Sequence, residues 1–404
     1  MSQVNLLDKL LDGAGVEWKP IAKIGELVRG SGLPKTDFTE SGVPAIHYGQ
    51  IYTYYGLFTH TTKSYVSEET SKKLKKVNFG DVVITNTSEN LEDVGTPLVY
   101  LGEEQAVTGG HATILKPSKG LLGKYFAYYT QTQAFFKDKR KYAKGIKVID
   151  VSAKDLSKIQ IPIPCPENPE KSLAIQTEVV RILDCFTELT TELTTELTTE
   201  LNARKKQYNY YRDELFKFVD GEVEWEVLEK LAENLDPQRK PITSGLREAG
   251  DIPYYGASGI VDYVKGYIFD SDLLLVSEDG ANLLARNSPI AFSISGKTWV
   301  NNHAHVLKFE TYTERRYVEY YLNSIDLTPY ISGAAQPKLN KKNLNSIKIP
   351  NPSFEVKKQI VATLDKLDEL TSLLHKGLTR EIELRQQQYE YYRDLLLNFP
   401  RSNT

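Results

Sequence analysis

Cysteine is almost missing: the 404-residue chain has two, Cys165 and Cys185, and a single methionine. Two cysteines give neither a disulfide framework nor a metal-binding spacing, which points to a reducing compartment, the cytoplasm. No apolar run approaches the roughly 18 residues that cross a bilayer, so no membrane role is expected. The beginning, MSQVNLLDKLLDGAG, lacks the basic-then-apolar order of a secretory leader. Net charge is also close to absent, at -3, so bulk charge gives no hint of nucleic acid. Signatures of catalysis are scarce as well. There is no Asn-Pro-Pro-aromatic motif of an amino-methyltransferase and no glycine-rich cofactor loop. SGKTW (295–299) imitates the end of a phosphate-binding loop, but Ala291 stands where its first glycine belongs. The WVNNHAHVL that follows reads as a strand, with no helix to receive phosphate. No catalytic residue, metal ligand or bound cofactor is therefore assigned to the chain.

What is present is repetition. QYNYYRDELFKF (207–218) returns as QYEYYRDLLLNF (388–399), an offset of 181 residues. The same offset, without a gap, carries Asp184 onto Asp365 and Leu189, Leu193, Leu197 and Leu201 onto Leu370, Leu374, Leu378 and Ile382. Ahead of each copy an alternating strand meets prolines, IQIPIPCPENPEKSLAIQ (159–176) and IKIPNPSFEVKKQ (347–359). Asn168-Pro169 and Asn351-Pro352 read as helix starts, Asn capping and Pro at the first position. Apolar residues then recur at helical spacing, which predicts two helices of about 45 residues, each ~65 Å long. In the first, FTELTTELTTELTTEL (186–201) repeats a tetrapeptide. Each tetrad turns about 40° beyond a full helical turn, so its leucines form a slowly winding stripe along which two helices can meet. Whole-tetrad insertions change length while roughly preserving facing, which suits a spacer.

The regions before the helices share a layout and differ in side chains. Val16-Glu17-Trp18 recurs as Val223-Glu224-Trp225, and VTGGHATILKP (107–117) parallels WVNNHAHVLKF (299–309), aligning His111 with His303. Both histidines flank apolar strands and read as satisfied structural residues. The order is 1–15, an echo of a helix tail; 16–165, a first variable domain; 166–220, the central helix; 221–350, a second variable domain; and 351–404, the distal helix. The fold class expected is α+β, two globular mixed α/β domains separated by two long antiparallel, coiled-coil-like helices in a pseudo-two-fold repeat.

IPIPCPENPEKSLAIQTEVVRILD, the TTEL units, RKKQYNYYRDELF and REIELRQQQYEYYRDLLLNFP together resemble the specificity subunit of type I restriction-modification systems, over essentially the whole chain. The likeness is strongest to the subclass whose spacer carries Thr-Ala-Glu-Leu repeats, although this chain reads TTEL. The resemblance implies two target-recognition domains, each reading half of an asymmetric bipartite site on double-stranded DNA. It implies helices that hold the domains apart, dock two modification subunits and set the spacer by repeat number. The chain itself would be non-catalytic. With its modification subunits it would form an adenine methyltransferase using S-adenosylmethionine. With restriction subunits it would form an endonuclease using ATP with Mg. The repeat number predicts a spacer near ~7 base pairs.

Within that frame, Lys137, Lys139, Arg140, Lys141, Lys144 and Lys147 of KDKRKYAKGIK are expected at DNA phosphates. Gln336, Lys338, Asn340, Lys341 and Lys342 of GAAQPKLNKKN are the counterpart, because Gln and Asn pair with adenine and Lys reaches guanine. Tyr208, Tyr210 and Tyr211 and their repeats Tyr389, Tyr391 and Tyr392 lie on the shared helices, which favours subunit docking or helix packing over base reading. A stand-alone enzyme and a scaffold that binds only protein are the rival readings.

Overall fold

Strands ended by prolines open the architecture. In the computed structural model, which describes residues 6–219, 221–286, 288–333 and 336–399, Val16–Pro20 pairs antiparallel with Gln160–Pro164 and sets Trp18 opposite Pro162. Among the described residues the sheet has only these two strands, so prolines can sit where no further neighbour needs their missing N–H. Residues 1–5 and 400–404, the ends of two expected segments, lie outside the described residues. The chain divides into two compact units, Met1–Glu196 with Glu381–Thr404, and Leu197–Arg380. Each long helix thus contributes to both.

Unit 1 contains two five-stranded sheets. The fully buried Val82–Thr85 forms the middle of one, between Pro97–Tyr100 and Ala112–Pro117. A tyrosine-bearing helix, Gly123–Thr130, then fastens this domain to the first long helix, Pro169–Leu215. The Tyr125 hydroxyl donates to the Pro162 carbonyl at 2.8 Å, while Tyr128 and Lys124 each reach the Asp184 carboxylate at 2.8 Å. The helix Leu6–Leu11 adds Leu7 and Leu11 to the same core, beside Leu396, Leu397 and Phe399 of the second long helix and its end.

Unit 2 repeats the scheme. Glu224–Val227 pairs with Lys348–Asn351, placing Trp225 opposite Pro350. Leu273–Ser277 lies between Ala291–Ile294 and Ala304–Lys308. From the helix Tyr312–Ser324, Tyr317 donates to the Pro350 carbonyl at 3.0 Å, and Tyr320 and Arg316 reach Asp365 at 2.8 and 3.1 Å. The sequence match of Asp184 to Asp365 is therefore a repeated anchor, in which one carboxylate holds a tyrosine and a cation.

The long helices have 47 residues (Pro169–Leu215) and 43 residues (Phe354–Leu396). Asn168 caps the first as expected, its side chain accepting from the Lys171 amide at 3.0 Å. The second start needs correction. Asn351 still pairs with Glu224 in the strand, and the residue before a proline is biased to extended backbone, so the helix begins only at Phe354. Within unit 1 the start of the first helix meets the end of the second: Thr187 donates to the Tyr389 hydroxyl at 3.2 Å and Phe186 stacks on Tyr392 at 5.7 Å. Within unit 2 the end of the first meets the start of the second, where the hydroxyl of the half-buried Tyr208 is hydrogen-bonded to Asp368. Both pairings run antiparallel.

The leucine stripe is buried in part only. Leu193, Leu197, Leu201, Leu378 and Ile382 are half-buried, whereas Leu189, Leu370 and Leu374 are 56%, 58% and 46% exposed. The 40° drift per tetrad carries some leucines off any fixed contact line, which corrects the expectation that all eight pack. Among the described residues, no helix is long and apolar enough to cross a membrane.

Candidate nucleic-acid interface

In both units the ends of two central strands carry a short platform built on the same hydrogen bonds. In unit 1 the Asn86 amide donates to the His111 carbonyl at 2.8 Å; in unit 2 Glu278 donates to His303 at 2.9 Å. Onto each platform a loop is tied by its backbone. Val151 N–H donates to the Asn86 carbonyl at 2.9 Å, and Leu339 N–H to the Glu278 carbonyl at 2.8 Å.

Each tied segment closes on itself just before its tie. Lys144 and Asp150 exchange backbone hydrogen bonds of 3.0 and 2.8 Å, as do Ser332 and Lys338, both at 2.8 Å. The second residue of each loop is glycine with positive φ, Gly145 at +106° and Gly333 at +85°. A Cβ there would fall 2.0 Å from the Val148 oxygen and 2.4 Å from the Gln336 oxygen, so the closure admits only glycine. Lys144, Lys147 and Gln336 thus occupy equivalent loops, and all three are exposed. So is Ile146, at 97%. An apolar side chain at such a tip carries no stability and is open to a partner surface.

The remaining candidates separate into exposed and committed groups. Lys137, Arg140 and Lys141 are exposed on the helix Gln133–Tyr142, with Lys141 paired to Asp138 at 2.6 Å. Lys144 also reaches Asp155, whose carboxyl is held far below its usual range, first by Lys158 and then by Lys144. Lys139 is corrected: it is buried, and its ammonium donates to the carbonyls of Glu92 and Val94 at 3.1 and 2.6 Å. Burial lowers this amine to about 8, against the opposing pull of Glu92 and Asp93. Asn340 is corrected likewise, since its side chain caps the short helix Lys341–Asn345 by accepting from Asn343 N–H at 3.0 Å. Lys341 and Lys342 are exposed on that helix and line a recess with Val227 and Glu229, beyond the tied loop. Lys338 is held to Glu278 at 3.0 Å.

His111 and His303, expected as satisfied structural residues, are exposed, and each ring has a hydrogen-bond partner. His303 pairs with Asp279 at 2.8 Å, and His111 stands beside Tyr48 and Thr87. The fully buried histidine is His305, two residues on. Sequence reasoning missed the rings next to His111. Phe38, His47, Tyr48 and His111 form a run with centroid separations of 5.6, 4.5 and 4.9 Å. Burial first, then the charges of Lys35 and His111, lower the His47 imidazole. Cations and π-faces collected at one rim suit a polyanion with stackable bases.

On the helices the tyrosines divide two ways. Tyr210, Tyr211 and Tyr391 are exposed, whereas Tyr208 and Tyr389 are half-buried and Tyr392, 38% exposed, stacks on Phe186; these three take part in helix packing, which narrows the expected docking set. SGKTW forms a turn with Gly296 at φ +73° between two strands, with no helix after it, so it cradles no phosphate.

These features have known counterparts. Residues 15–203 and 222–384 match the family described as type I restriction modification DNA specificity domain. The chain is 33% identical over 429 residues to the EcoR124I/EcoR124II type I restriction enzyme specificity subunit of Escherichia coli, covering 100% of this chain and 99% of that one. It is also 33% identical over 382 residues to the EcoprrI specificity subunit of Escherichia coli, covering 92% of each. A solved chain, described under complex assembly and conformational transition of the type I R-M system, has the same fold. Its TM-score is 0.72 at 13% identity, over 96% of this chain and 98% of that chain. Matched along most of its length and at both variable regions, the chain belongs to the type I restriction-modification DNA specificity family.

Proposed function

We propose that this chain is the non-catalytic DNA-specificity subunit of a type I restriction-modification complex, and that each unit reads one half of an asymmetric bipartite site. The observation that carries this reading is the duplicated platform, with its tied loop and different side chains at equivalent places. In the register of the two closures Gln336 takes the place of Val148, and Ser332 that of Lys144. Lys137, Arg140 and Lys141 hold phosphates, and Gln336 with Lys338 reads base edges. The exposed Tyr210 and Tyr211 on the first long helix, and Tyr391 on the second, dock two methyltransferase subunits, one at each site. Those partners supply S-adenosylmethionine chemistry, and restriction subunits supply ATP with Mg; the chain works in the cytoplasm.

The TTEL units, a variant of the Thr-Ala-Glu-Leu spacer, set the gap between half-sites. One unit is ~6 Å of helix and one base pair rises ~3.4 Å. Mapping methylated adenines in cells that express the system, with and without deletion of 198–201, tests both statements. Expected is a bipartite site whose gap shrinks by one or two base pairs on deletion, with both half-sites unchanged. A continuous site would reject the two-domain reading, and an unchanged gap would reject the spacer.

A further inference from the structure

The two tied loops hang from equivalent backbone bonds, but the side chains beneath them differ in charge. In unit 1 the support is neutral. Thr113 donates to the Asn86 side-chain oxygen at 2.8 Å, and the Asn86 amide donates to the Val151 carbonyl at 2.7 Å. Both side chains are buried, at 2% and 0% exposure for Asn86 and Thr113. The strand registers carry Asn86 onto Glu278 and Thr113 onto His305. In unit 2 the support is ionic. His305 Nδ1 lies 2.6 Å from the Asp236 carboxylate and 3.8 Å from Glu278, and Nε2 lies 2.7 Å from the Leu339 carbonyl.

Among the described residues, the charged groups facing this ring belong to unit 2. Arg239 meets Glu278 at 2.6 Å and Asp236 at 3.6 Å, and Lys338, on the loop, meets Glu278 at 3.0 Å. Burial opposes ionisation of both carboxyls. Bonds from His305 and the Val306 amide to Asp236, and from Arg239 and Lys338 to Glu278, outweigh it and hold both below their usual range. These carboxylates therefore stay charged well below neutral pH, and the ring faces them in either of its protonation states.

Both ring nitrogens face acceptors, so only the doubly protonated ring satisfies both. A neutral imidazole has one N–H. The charged acceptor, Asp236, retains it because charge-assisted bonds are the stronger, and the Leu339 carbonyl then loses its donor. We infer that His305 is a positioning residue for the loop bearing Gln336 and Lys338, and that its protonation tightens base reading by unit 2 alone, because the equivalent support in unit 1, Asn86–Thr113, does not titrate. The inference rests on the proposal that these loops lie on DNA.

The test uses the full chain assembled with its methyltransferase subunits. Hydrogen-exchange protection, each rate taken relative to the intrinsic rate at the same pH, is compared for peptides covering 332–340 and 144–151. Between about pH 6 and pH 8.5, protection of 332–340 in the unaltered chain is expected to fall on the order of tenfold, the effect of one buried hydrogen bond. Protection of 144–151 stays constant. In His305→Gln, which keeps a donor but no titration, both segments stay constant. A constant 332–340 in the unaltered chain, or an equal fall in His305→Gln, overturns the inference. Competition with DNA scrambled in one half-site or the other supplies the second readout: exactly one of the two scrambling penalties is expected to shrink severalfold as pH rises. A pH-dependent loop with two constant penalties instead overturns the placement of the loop on DNA.

Discussion

The basic cluster of unit 1 contains residues that look alike in sequence and differ physically, and this yields a two-sided prediction. Lys137, Arg140 and Lys147 are exposed, whereas Lys139 is buried with its ammonium on two carbonyls. Each phosphate contact adds ~0.9 to the slope of log affinity against log salt. Replacing Lys137, Arg140 and Lys147 by Ala should thus reduce the slope by about 2 to 3, measured by titrating the assembled complex on DNA across a salt series. Lys139→Met should leave the slope unchanged and, above about pH 10 where the amine is neutral folded and unfolded, lower the stability of unit 1 by about 1–3 kcal/mol, the penalty for carbonyls left without a donor. Its pH dependence has a definite sign. The folded amine releases its proton near 8, below the roughly 10.4 of an unfolded lysine, so between these values the unfolded chain holds more protons. Stability of unit 1 should then rise with pH across that window, by up to ~3 kcal/mol, and this rise should vanish in Lys139→Met. Trp18 is the only tryptophan of unit 1, so urea unfolding followed in a chain with Trp225 and Trp299 replaced by Phe isolates the signal. A flattened salt slope in Lys139→Met, or an unaltered slope in the triple variant, would refute the assignment.

Two further outcomes follow from the helices. Tyr128→Phe and Tyr320→Phe each remove a hydroxyl that donates to an anchoring carboxylate, Asp184 or Asp365. Each should destabilise its own unit by about 1–2 kcal/mol without altering the other, and equal effects on both units in differential scanning would contradict the anchor. Replacing Tyr210 and Tyr211 by Ser should lower the number of methyltransferase subunits bound, by mass photometry, from two to one, whereas retention of both would remove these rings from the docking surface.

Legibility in the sequence followed the kind of constraint on each segment. The helices were readable because the 181-residue offset between them is constant and free of gaps, and it made Asp184 and Asp365 visible as a match. The second helix start was misread because Asn351-Pro352 has the composition of a cap. Strand pairing of Asn351 with Glu224 overrides that local preference. Lys139 was misread because a run of basic residues has helical periodicity, and one face of the helix Gln133–Tyr142 must turn inward beside Gly95. There a Cβ would meet the Lys139 side chain at 2.8 Å. The histidines were exchanged for a similar reason. In HAH, alternate residues of the approach to a strand are separated by burial, which assigns His305 to the interior and leaves His303 at the rim.

The loops were the least legible part, and the cause bears on how such a protein can change what it reads. Apart from glycine in second place, KGIKVID and SGAAQPK share nothing that a sequence comparison would weigh. Their common architecture comes from main-chain bonds: the seven-residue closure, and the amide ties to the carbonyls of Asn86 and Glu278. Main-chain bonds do not specify the side chains projecting from the tip, so tip residues can vary while the loop keeps its position. The anchors behave oppositely. Tyr125 and Tyr317 donate to the carbonyls of Pro162 and Pro350, and Tyr128 and Tyr320 to Asp184 and Asp365, through identical side-chain groups. Such contacts fail on substitution, so both units must retain them. Variation is therefore confined by bonding type, to loops held by backbone, while the attachment to the helices stays fixed by tyrosine and aspartate.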